Sequence, residues 1–196
     1  MNHHFFALHS RMKYINRWAL MRNTQNENLA EHSNDVAVIA HAIAVIKNLR
    51  FGGNLNAERV AFLALYHDMP EIMTGDMPTP VKYHSEKIHQ AFLDVEKESC
   101  DKILSMLPDD LKAYYNDAFF PQDEDAYLWK IVKAADKISA LIKCAQELQA
   151  GNKEFEKAYQ STMKIVNAIE LEEVQAFMSD FFESFKLSLD EQNCEF

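Results

Sequence analysis

The stretch from residue 29 to residue 49, LAEHSNDVAVIAHAIAVIKNL, decides the fold class. Asn28 precedes it, and Glu31 follows Asn28 by three residues, which is the form of a helix capping box. The Gly52–Gly53 pair then breaks the chain. Between these limits the apolar residues recur at helical spacing, so the stretch predicts a long helix. Its apolar positions are Val36, Ile39, Ala40, Ile43, Ala44 and Ile46.

Helical patterns continue outward from this segment. A second helix starts after Asn56 and should end or kink at Pro70, because proline lacks the N–H that would bond to the carbonyl of Tyr66. A stiff polar loop, TGDMPTP, follows at 74–80. No segment has the period-2 pattern of a strand, so the sequence predicts an all-α fold, a bundle of helices. Further helices are predicted over 85–107 (with Ile88, Phe92, Val95, Ile103 and Leu107 facing inward), 109–120, 124–150 and, as one or two helices, 153–187.

Length and composition indicate one domain, residues 1–196. A chain of 196 residues is long enough for one sizeable core and too short for two comfortable ones. The hydrophobic content is 48%, and there are only four glycines and five prolines, which is typical of a compact helical protein. No repeat, low-complexity tract or Gly/Ser linker divides the sequence.

Several classes of partner are disfavoured. The net charge of −10 argues against binding of a nucleic acid polymer, which depends on clustered Lys and Arg. No apolar run approaches the roughly 20 residues that a membrane span needs, and the N-terminal residues lack the apolar core of an export signal. The sequence has an odd number of cysteines, three, and they are widely spaced: Cys100, Cys144 and Cys194. We therefore expect reduced cysteines and a cytoplasmic location.

Four side chains are candidate ligands of one divalent metal. His32 lies one turn before Val36 on the inward face of its helix. His67 falls on the inward face of the next helix, with Asp68 about 100° further round. Asp136 lies at the border of the apolar stripe of residues 124–150, where an unpaired carboxylate is costly to bury. Two imidazoles and two carboxylates suit Mn²⁺, Co²⁺, Fe²⁺, Ni²⁺ or Zn²⁺, and differ from the thiolates of a structural zinc site.

Taken singly, the candidate residues have plainer interpretations. His32 alone is more often a satisfied core residue, and Arg17-Trp18 is more often a packed amphipathic pair. Glu71 alone is an ordinary solvated glutamate, and Asp76 after a glycine is usually a turn residue. A wide apolar face on a late helix favours either core packing or a homodimer interface. That face consists of Phe177, Met178, Phe181 and Phe182.

The order of the candidate ligands resembles a known signature. His32, then His67-Asp68, then Asp136 is similar to the H…HD…D pattern of the HD-domain metal-dependent phosphohydrolases. A closer resemblance, over nearly the whole chain, is to the bacterial 5′-deoxynucleotidases of the YfbR type. Met69-Pro70 is a local departure from that family. The segments that carry the resemblance are INRW (15–18), AEHS (30–33), YHDMPE (66–71), TGDMPTPVKY (74–83) and FKLSLDE (185–191).

This resemblance implies the hydrolysis of deoxyribonucleoside 5′-monophosphates to deoxyribonucleosides and phosphate. It implies one divalent transition metal, with Co²⁺ or Mn²⁺ favoured, held by the four candidate ligands. It also points to a homodimer. Three of the implied ligands, His32, Asp68 and Asp136, would also contact the substrate.

The remaining implied roles concern the phosphate, the sugar and the attacking water. Arg17 would orient the phosphate, and Trp18 would line the nucleotide site. Glu71 would activate the attacking water. The sugar and the phosphate would be contacted by Asp76, Met77, Pro78 and Thr79. Asp76 would either accept a hydrogen bond from the 3′-hydroxyl or protonate the leaving 5′-oxygen.

Two other functions stay open at this point. One is a different HD phosphohydrolase, acting on a cyclic nucleotide, a nucleoside triphosphate or an alarmone. The other is a non-catalytic HD domain that binds nucleotides. Arg17-Trp18 together with the loop 74–80 favours the monophosphatase, and a non-catalytic domain would be expected to have lost a ligand or the acid/base pair.

Overall fold

The structure, a computed structural model, describes residues 3–192 and contains helices but no β-strand in that range. This confirms the all-α prediction. Cys194, used above in the cysteine count, lies outside the described residues. The α-helices are α1 (Phe5–His9), α2 (Leu29–Arg50), α3 (Ala57–Tyr66), α4 (Glu71–Thr74), α5 (Thr79–Lys82), α6 (Glu86–Leu104), α7 (Asp109–Phe119), α8 (Ala126–Gln149), α9 (Glu156–Asn167) and α10 (Glu172–Phe181). Short 3₁₀ helices cover Ser10–Tyr14, Asp123–Asp125, Lys153–Phe155 and Phe182–Lys186.

Helix α2 is the centre of the bundle and packs against α3, α8 and α10. Its N-terminus has the predicted capping box, in which the Asn28 side chain accepts from the backbone N–H of Glu31 and the Glu31 side chain accepts from that of Asn28. Two orphan donors of the first turn are thereby satisfied. The predicted apolar face is buried, with Val36 and Ile43 fully inaccessible. This helix and its end were therefore predicted correctly.

Helix α3 ends at Tyr66, as the proline four residues later predicts. The chain continues through tight turns, in which the N–H of Met69 bonds to the carbonyl of Tyr66 at 3.1 Å and the N–H of Glu71 bonds to that of Asp68 at 3.0 Å. His67 and Asp68 therefore lie on these turns and not inside a helix. Glu71 begins the short helix α4, so it is placed by a new helical turn and not by a continuation of α3.

Some local expectations were wrong. The predicted loop 74–80 is shorter, because Thr74 ends α4 and Thr79 and Pro80 begin α5. Ile88 and Val95 are 37% and 48% exposed, although the pattern placed them inward. Among the described elements α6 packs against α4, α5 and α7, two of which are only one turn long, so much of its apolar side stays uncovered. Helix α1 was not predicted, yet its Phe5 is buried.

The late apolar face is mostly core. Phe177 and Phe182 are buried, Met178 is half-buried, and only Phe181 is substantially exposed. Within residues 3–192 no helix is both long and apolar enough to span a bilayer. The largest inaccessible aliphatic side chains come from α2, α3, α6 and α8 and from the turns beside them. They include Leu29, Ile43, Leu63, Met69, Ile103, Leu107, Ile131, Ile138 and Leu141.

Candidate active site

Three elements bring the four candidate ligands together. His32 lies on the first turn of α2 and is fully buried. His67 and Asp68 lie on the turns after α3, and Asp136 comes from the middle of α8. Ligand atoms of His32, His67 and Asp68 all lie within 4.8 Å of one another. Asp136 is not part of this group of three, but its Oδ1 lies 3.2 Å from His32 Nε2, so residues more than a hundred positions apart in sequence meet at this site.

The distances among these side chains suit a common metal ion. His32 Nε2 lies 3.4 Å from Asp68 Oδ2 and 3.2 Å from Asp136 Oδ1. His67 Nε2 lies 3.2 Å from Asp68 Oδ1. Two ligands that each lie about 2.1 Å from an ion, at right angles to one another, are roughly 3.0 Å apart. The three observed separations are close to that value.

The outer ring nitrogens fix how the two imidazoles are presented. His67 Nδ1 lies 2.7 Å from the carbonyl of Ala64, which can only accept, so Nδ1 carries the proton. His32 Nδ1 lies 3.1 Å from Ser139 Oγ. Both Nε2 atoms are buried and make no regular hydrogen bond within residues 3–192. Two buried Nε2 atoms directed at carboxylates are what a nitrogen-and-oxygen metal site requires, so the residues fit a divalent ion.

The electrostatics of the cluster are those of a cation site. Burial would lower the pKa of His67, but Asp68 and Asp136 outweigh it and raise this pKa to about 9. Burial would raise the pKa of Asp68, but His67 and His32 hold it below its usual value. The pKa of Asp136 is likewise held well below its usual value by His32 and Lys137, against the effect of burial. The carboxylates therefore stay ionised, as carboxylate ligands of a divalent cation must be.

Arg17 lies against this cluster. Its Nη1 donates to Asp68 Oδ2 at 3.3 Å, and its Nε donates to Glu27 Oε2 at 3.1 Å. The side chain is only 11% exposed. Burial would lower the pKa of Arg17, but the carboxylates around it, Asp68 first, raise this pKa further above its usual value. A permanent planar charge is therefore fixed beside a candidate metal ligand.

Trp18 has a strained backbone with a φ of 58°, in the left-handed region that residues other than glycine rarely adopt. Such a conformation costs on the order of 1–3 kcal/mol and persists only where the surroundings hold it. Here the Trp18 N–H donates to Asp76 Oδ2 at 3.2 Å, and Nε1 donates to Glu27 Oε2 at 3.0 Å. The indole also packs on Phe155, with ring centroids 5.3 Å apart. The plainer interpretation of Arg17-Trp18 as a packed pair misses these polar contacts.

Glu71 is buried, so its interpretation as a solvated glutamate is wrong. Its residual exposure is 9%, and its Oε2 is buried without a hydrogen-bond partner among the described residues. Burial, together with the charges of Asp68 and Asp76, raises the pKa of Glu71 to about 9, against the opposite effect of Arg17. Glu71 therefore shares the electrostatic environment of the candidate ligands.

The segment after Glu71 returns the chain to the site through Asp76. Gly75 has a φ of 73°, which glycine adopts without strain, and Asp76 then reaches the Trp18 N–H. Burial raises the pKa of Asp76, although Arg17 and the Trp18 N–H oppose this. Met77 and Pro78 are half-buried and Thr79 is exposed. Their contacts with substrate stay predictions.

Sequence reasoning missed three residues of this site. Glu27 joins Arg17 to Trp18, Ser139 contacts His32, and Lys137 Nζ lies 2.9 Å from Asp136 Oδ2. Lys137 and Ser139 lie one and three positions after Asp136, so their closeness to it could have been noticed. Nothing in the spacing of Glu27 indicates its two contacts, because they depend on how the chain folds back between residues 17 and 27.

Comparison with solved structures shows the same fold in HD-domain phosphohydrolases. An HD-domain phosphohydrolase from Listeria innocua superposes with a TM-score of 0.80, covers 97% of this chain and 92% of its own, and is 24% identical. The cyanophage S-2L HD phosphohydrolase DatZ, solved with dA and one catalytic Zn²⁺ ion, has a TM-score of 0.64 at 17% identity, with 92% and 95% of the two chains covered. The fold is therefore that of the HD-domain phosphohydrolases.

The sequence comparisons narrow this class to one family. The model of the YfbR-like 5′-deoxynucleotidase family matches residues 4–185. A 5′-deoxynucleotidase of Yersinia pestis is 47% identical over 192 residues, which are 96% of this chain and 95% of that enzyme, and one of Yersinia pseudotuberculosis matches equally well. The chain belongs to the YfbR-like 5′-deoxynucleotidase family. The resemblance inferred from the motifs is thus confirmed.

Proposed function

We propose that this 5′-deoxynucleotidase hydrolyses deoxyribonucleoside 5′-monophosphates with the help of one divalent transition metal held by His32, His67, Asp68 and Asp136. The observation that carries the proposal is the pair of buried Nε2 atoms of His32 and His67, which face carboxylate oxygens at 3.2 to 3.4 Å and have no regular hydrogen bond within the described chain. When bound, such an ion would lower the pKa of water and draw charge off phosphate oxygens.

The donor set favours a borderline transition metal. Imidazole nitrogen together with carboxylate oxygen suits Co²⁺, Mn²⁺ and Zn²⁺, with Co²⁺ or Mn²⁺ proposed first. Asp136 is ion-paired with Lys137 through Oδ2, while its Oδ1 faces His32. That division leaves Oδ1 available as a ligand atom while Lys137 neutralises part of the remaining charge.

Arg17 would bind and orient the phosphate. A guanidinium matches the geometry of two phosphate oxygens, and the burial of Arg17 strengthens its interaction with them. The Nη2 group of Arg17 makes no hydrogen bond within residues 3–192, so its N–H groups are available to a substrate phosphate. Trp18, held beside Arg17, would line the nucleotide pocket, and His32, Asp68 and Asp136 would border the phosphate.

Glu71 would accept the proton of the attacking water. Its unpartnered Oε2 is buried, and Glu71 is close enough to Asp68 and Asp76 for their charges to raise its pKa. Burial disfavours its ionised form even with Arg17 nearby, so a further cation, such as the proposed metal ion, is needed to make it a base at neutral pH. Proton acceptance by a placed carboxylate is ordinary general-base catalysis.

Asp76 can serve in either of two ways, which differ in a measurable respect. If it protonates the leaving 5′-oxygen, Asp76→Asn should lose far more activity on a nucleotide than on p-nitrophenyl phosphate, whose leaving group needs no proton. If it accepts the 3′-hydroxyl, the loss should instead disappear when the substrate is a 3′-deoxy analogue. Met77, Pro78 and Thr79, on the same segment, would contact sugar and phosphate.

One experiment tests the substrate class. Phosphate release is measured over ribo- and deoxyribonucleoside monophosphates, cyclic nucleotides, triphosphates and an alarmone, each with Co²⁺, Mn²⁺ and Zn²⁺. We expect turnover of deoxyribonucleoside 5′-monophosphates above all others. Turnover confined to another nucleotide class, or nucleotide binding without turnover, would replace the proposal with one of the two alternatives considered from the sequence.

We also propose a single domain, a homodimer and a cytoplasmic location. One contiguous core spans the helices from α1 to α10, which supports one domain over residues 1–196. Cys100 and Cys144 are free and buried, as expected in a reducing compartment. Support for the dimer now comes from the family resemblance and from exposed apolar side chains such as Leu49, Leu20 and Phe181, since most of the face expected at the interface is core. Light scattering after size exclusion would measure the mass.

A further inference from the structure

We propose that Glu27 is a positioning residue whose single carboxylate sets both the Arg17 guanidinium and the Trp18 indole. The proposal rests on the proposed roles of Arg17 and Trp18 in the site described above. Glu27 Oε2 accepts from Arg17 Nε at 3.1 Å and from Trp18 Nε1 at 3.0 Å. The side chain is 12% exposed, so water competes little for these bonds.

The backbone holds Glu27 opposite its two partners. The Arg17 N–H donates to the Glu27 carbonyl at 2.9 Å, and the Leu29 N–H donates to the Ile15 carbonyl at 3.0 Å. Asn16 and Asn28 form an isolated antiparallel bridge between them. Residues 15–17 are thus paired with residues 27–29, where α2 begins. The same helix presents His32 from its first turn, so Glu27 ties Arg17 and Trp18 to the element that carries a candidate metal ligand.

For Arg17, the carboxylate of Glu27 balances that of Asp68. The guanidinium is held at Nε by Glu27 and at Nη1 by Asp68, which fixes its plane at two points. Without Glu27, the buried cation would have Asp68 as its nearest hydrogen-bonded carboxylate. A closer, two-pronged pairing with Asp68 would then consume the N–H groups needed for phosphate and compete with a metal for the carboxylate.

Glu27 makes one of three contacts that fix Trp18. The backbone N–H is fixed by Asp76, the ring contacts Phe155, and Nε1 is fixed by Glu27. The last two contacts act on the indole itself, and of these the hydrogen bond to Glu27 is the directional one. Loss of Glu27 should therefore change the pocket wall as well as the phosphate contact, while leaving the helices in place.

The test compares Glu27→Ala with Glu31→Ala and adds Glu27→Gln. Glu31 lies in the first turn of α2 and accepts from the Asn28 N–H, so its removal controls for loss of stability at the start of that helix. A glutamine oxygen can still accept from both partners, so Glu27→Gln is the conservative rescue. Measured quantities are kcat and KM for a deoxyribonucleoside monophosphate, the Kd for Mn²⁺ alone, and the indole N–H resonance of Trp18, with Trp129, the second of two tryptophans, as internal reference.

We expect Glu27→Ala to raise KM and lower kcat/KM by roughly 10- to 100-fold, because small misplacements of binding groups have effects of that size. It should also weaken Mn²⁺ binding and move the Trp18 resonance but not that of Trp129. Glu27→Gln should recover part of each change, and Glu31→Ala should alter none of them. If Glu27→Ala fails to fold, Glu27→Gln provides the test. Its KM and its Trp18 resonance should both differ from those of the wild type.

A double-mutant cycle with Arg17→Ala separates this proposal from the one it rests on. If Glu27 acts through Arg17, then Glu27→Ala added to Arg17→Ala should cost no more than about threefold, because coupled residues are not additive. Full additivity, or a wild-type KM and Trp18 resonance in both Glu27 variants, would overturn the positioning role. Wild-type kcat/KM in Arg17→Ala would instead remove Arg17 from the proposed function, whatever the Glu27 variants show.

Discussion

Arg17 and Asp68 are hydrogen-bonded across the site, from Nη1 to Oδ2 at 3.3 Å. The same Oδ2 lies 3.4 Å from His32 Nε2, so one carboxylate oxygen faces both a fixed cation and a candidate ligand. Under the proposed roles, this arrangement would couple phosphate binding to metal binding, since an ion that drew Asp68 towards the histidines would loosen the hold of Asp68 on Arg17. The freed N–H group could then be given to a phosphate oxygen.

Arg17→Ala should therefore lower kcat/KM by roughly 100- to 1,000-fold, the usual range for the loss of one charge-stabilising donor. Arg17→Lys should restore only a small part, because an ammonium cannot bridge two oxygens from a fixed plane. Steady-state kinetics on a deoxyribonucleoside monophosphate measures both. Arg11→Ala, which removes an exposed arginine, is the matched control and should change little. Near-normal kinetics in Arg17→Ala would exclude Arg17 from phosphate binding.

Removal of the metal should abolish turnover. After treatment with a chelator and its removal, phosphate release should be lost, and Co²⁺, Mn²⁺ or Zn²⁺ should restore it to different degrees. Elemental analysis should give about one ion per chain in the wild type and in His41→Ala, an exposed histidine on the same helix as His32. His32→Ala and His67→Ala should bind much less, because each removes one nitrogen ligand. Turnover that persists in protein shown to be metal-free would refute the metal mechanism.

The fold was largely predictable because its signals are local. The apolar spacing of α2, its capping box and the proline after α3 each act within a few residues, and each was confirmed. Exposure of Ile88 and Val95 was not predictable, because it depends on how little of α6 its neighbours cover. The pattern identified the side chains that converge, but Glu27 could not be found, since its role depends on chain pairing ten residues away.

Glu71→Gln should separate catalysis from metal binding. The amide has almost the same shape as the carboxyl group but cannot accept a proton, so kcat should fall by about 100- to 10,000-fold. Metal content should stay at the wild-type level, because Glu71 is not among the proposed ligands. Glu98→Gln, an exposed glutamate on α6, serves as the control for the charge change. Unchanged kcat in Glu71→Gln would show that another group takes the proton.

A buried carboxylate outside the candidate site, Glu147 on α8, anchors the loop that carries Arg17 and Trp18. It accepts from the N–H and hydroxyl of Thr24 at 2.9 and 2.7 Å, from Asn152 Nδ2 at 2.8 Å, and from Lys143 Nζ at 2.5 Å. Its exposure is 1%. Burial would raise the pKa of Glu147, but the hydrogen bonds from Lys143, Asn152 and Thr24 outweigh it and hold this pKa well below its usual value.

The sign of the resulting pH dependence follows from linkage. A carboxylate with a lower pKa in the folded than in the unfolded chain adds stability that is full above the unfolded pKa, about 4.3, and is lost as the pH falls below it.

Glu147→Gln removes this contribution and leaves Lys143 buried without its anionic partner. At pH 7 we expect a loss of about 3 kcal/mol, or roughly 6–12 °C in Tm. Thermal unfolding should show that this difference from wild type narrows between pH 5 and pH 3, whereas Glu170→Gln, at an exposed site, should follow the wild type throughout. A difference that stays constant over that pH range would mean that the charge of Glu147 contributes nothing to the anchor.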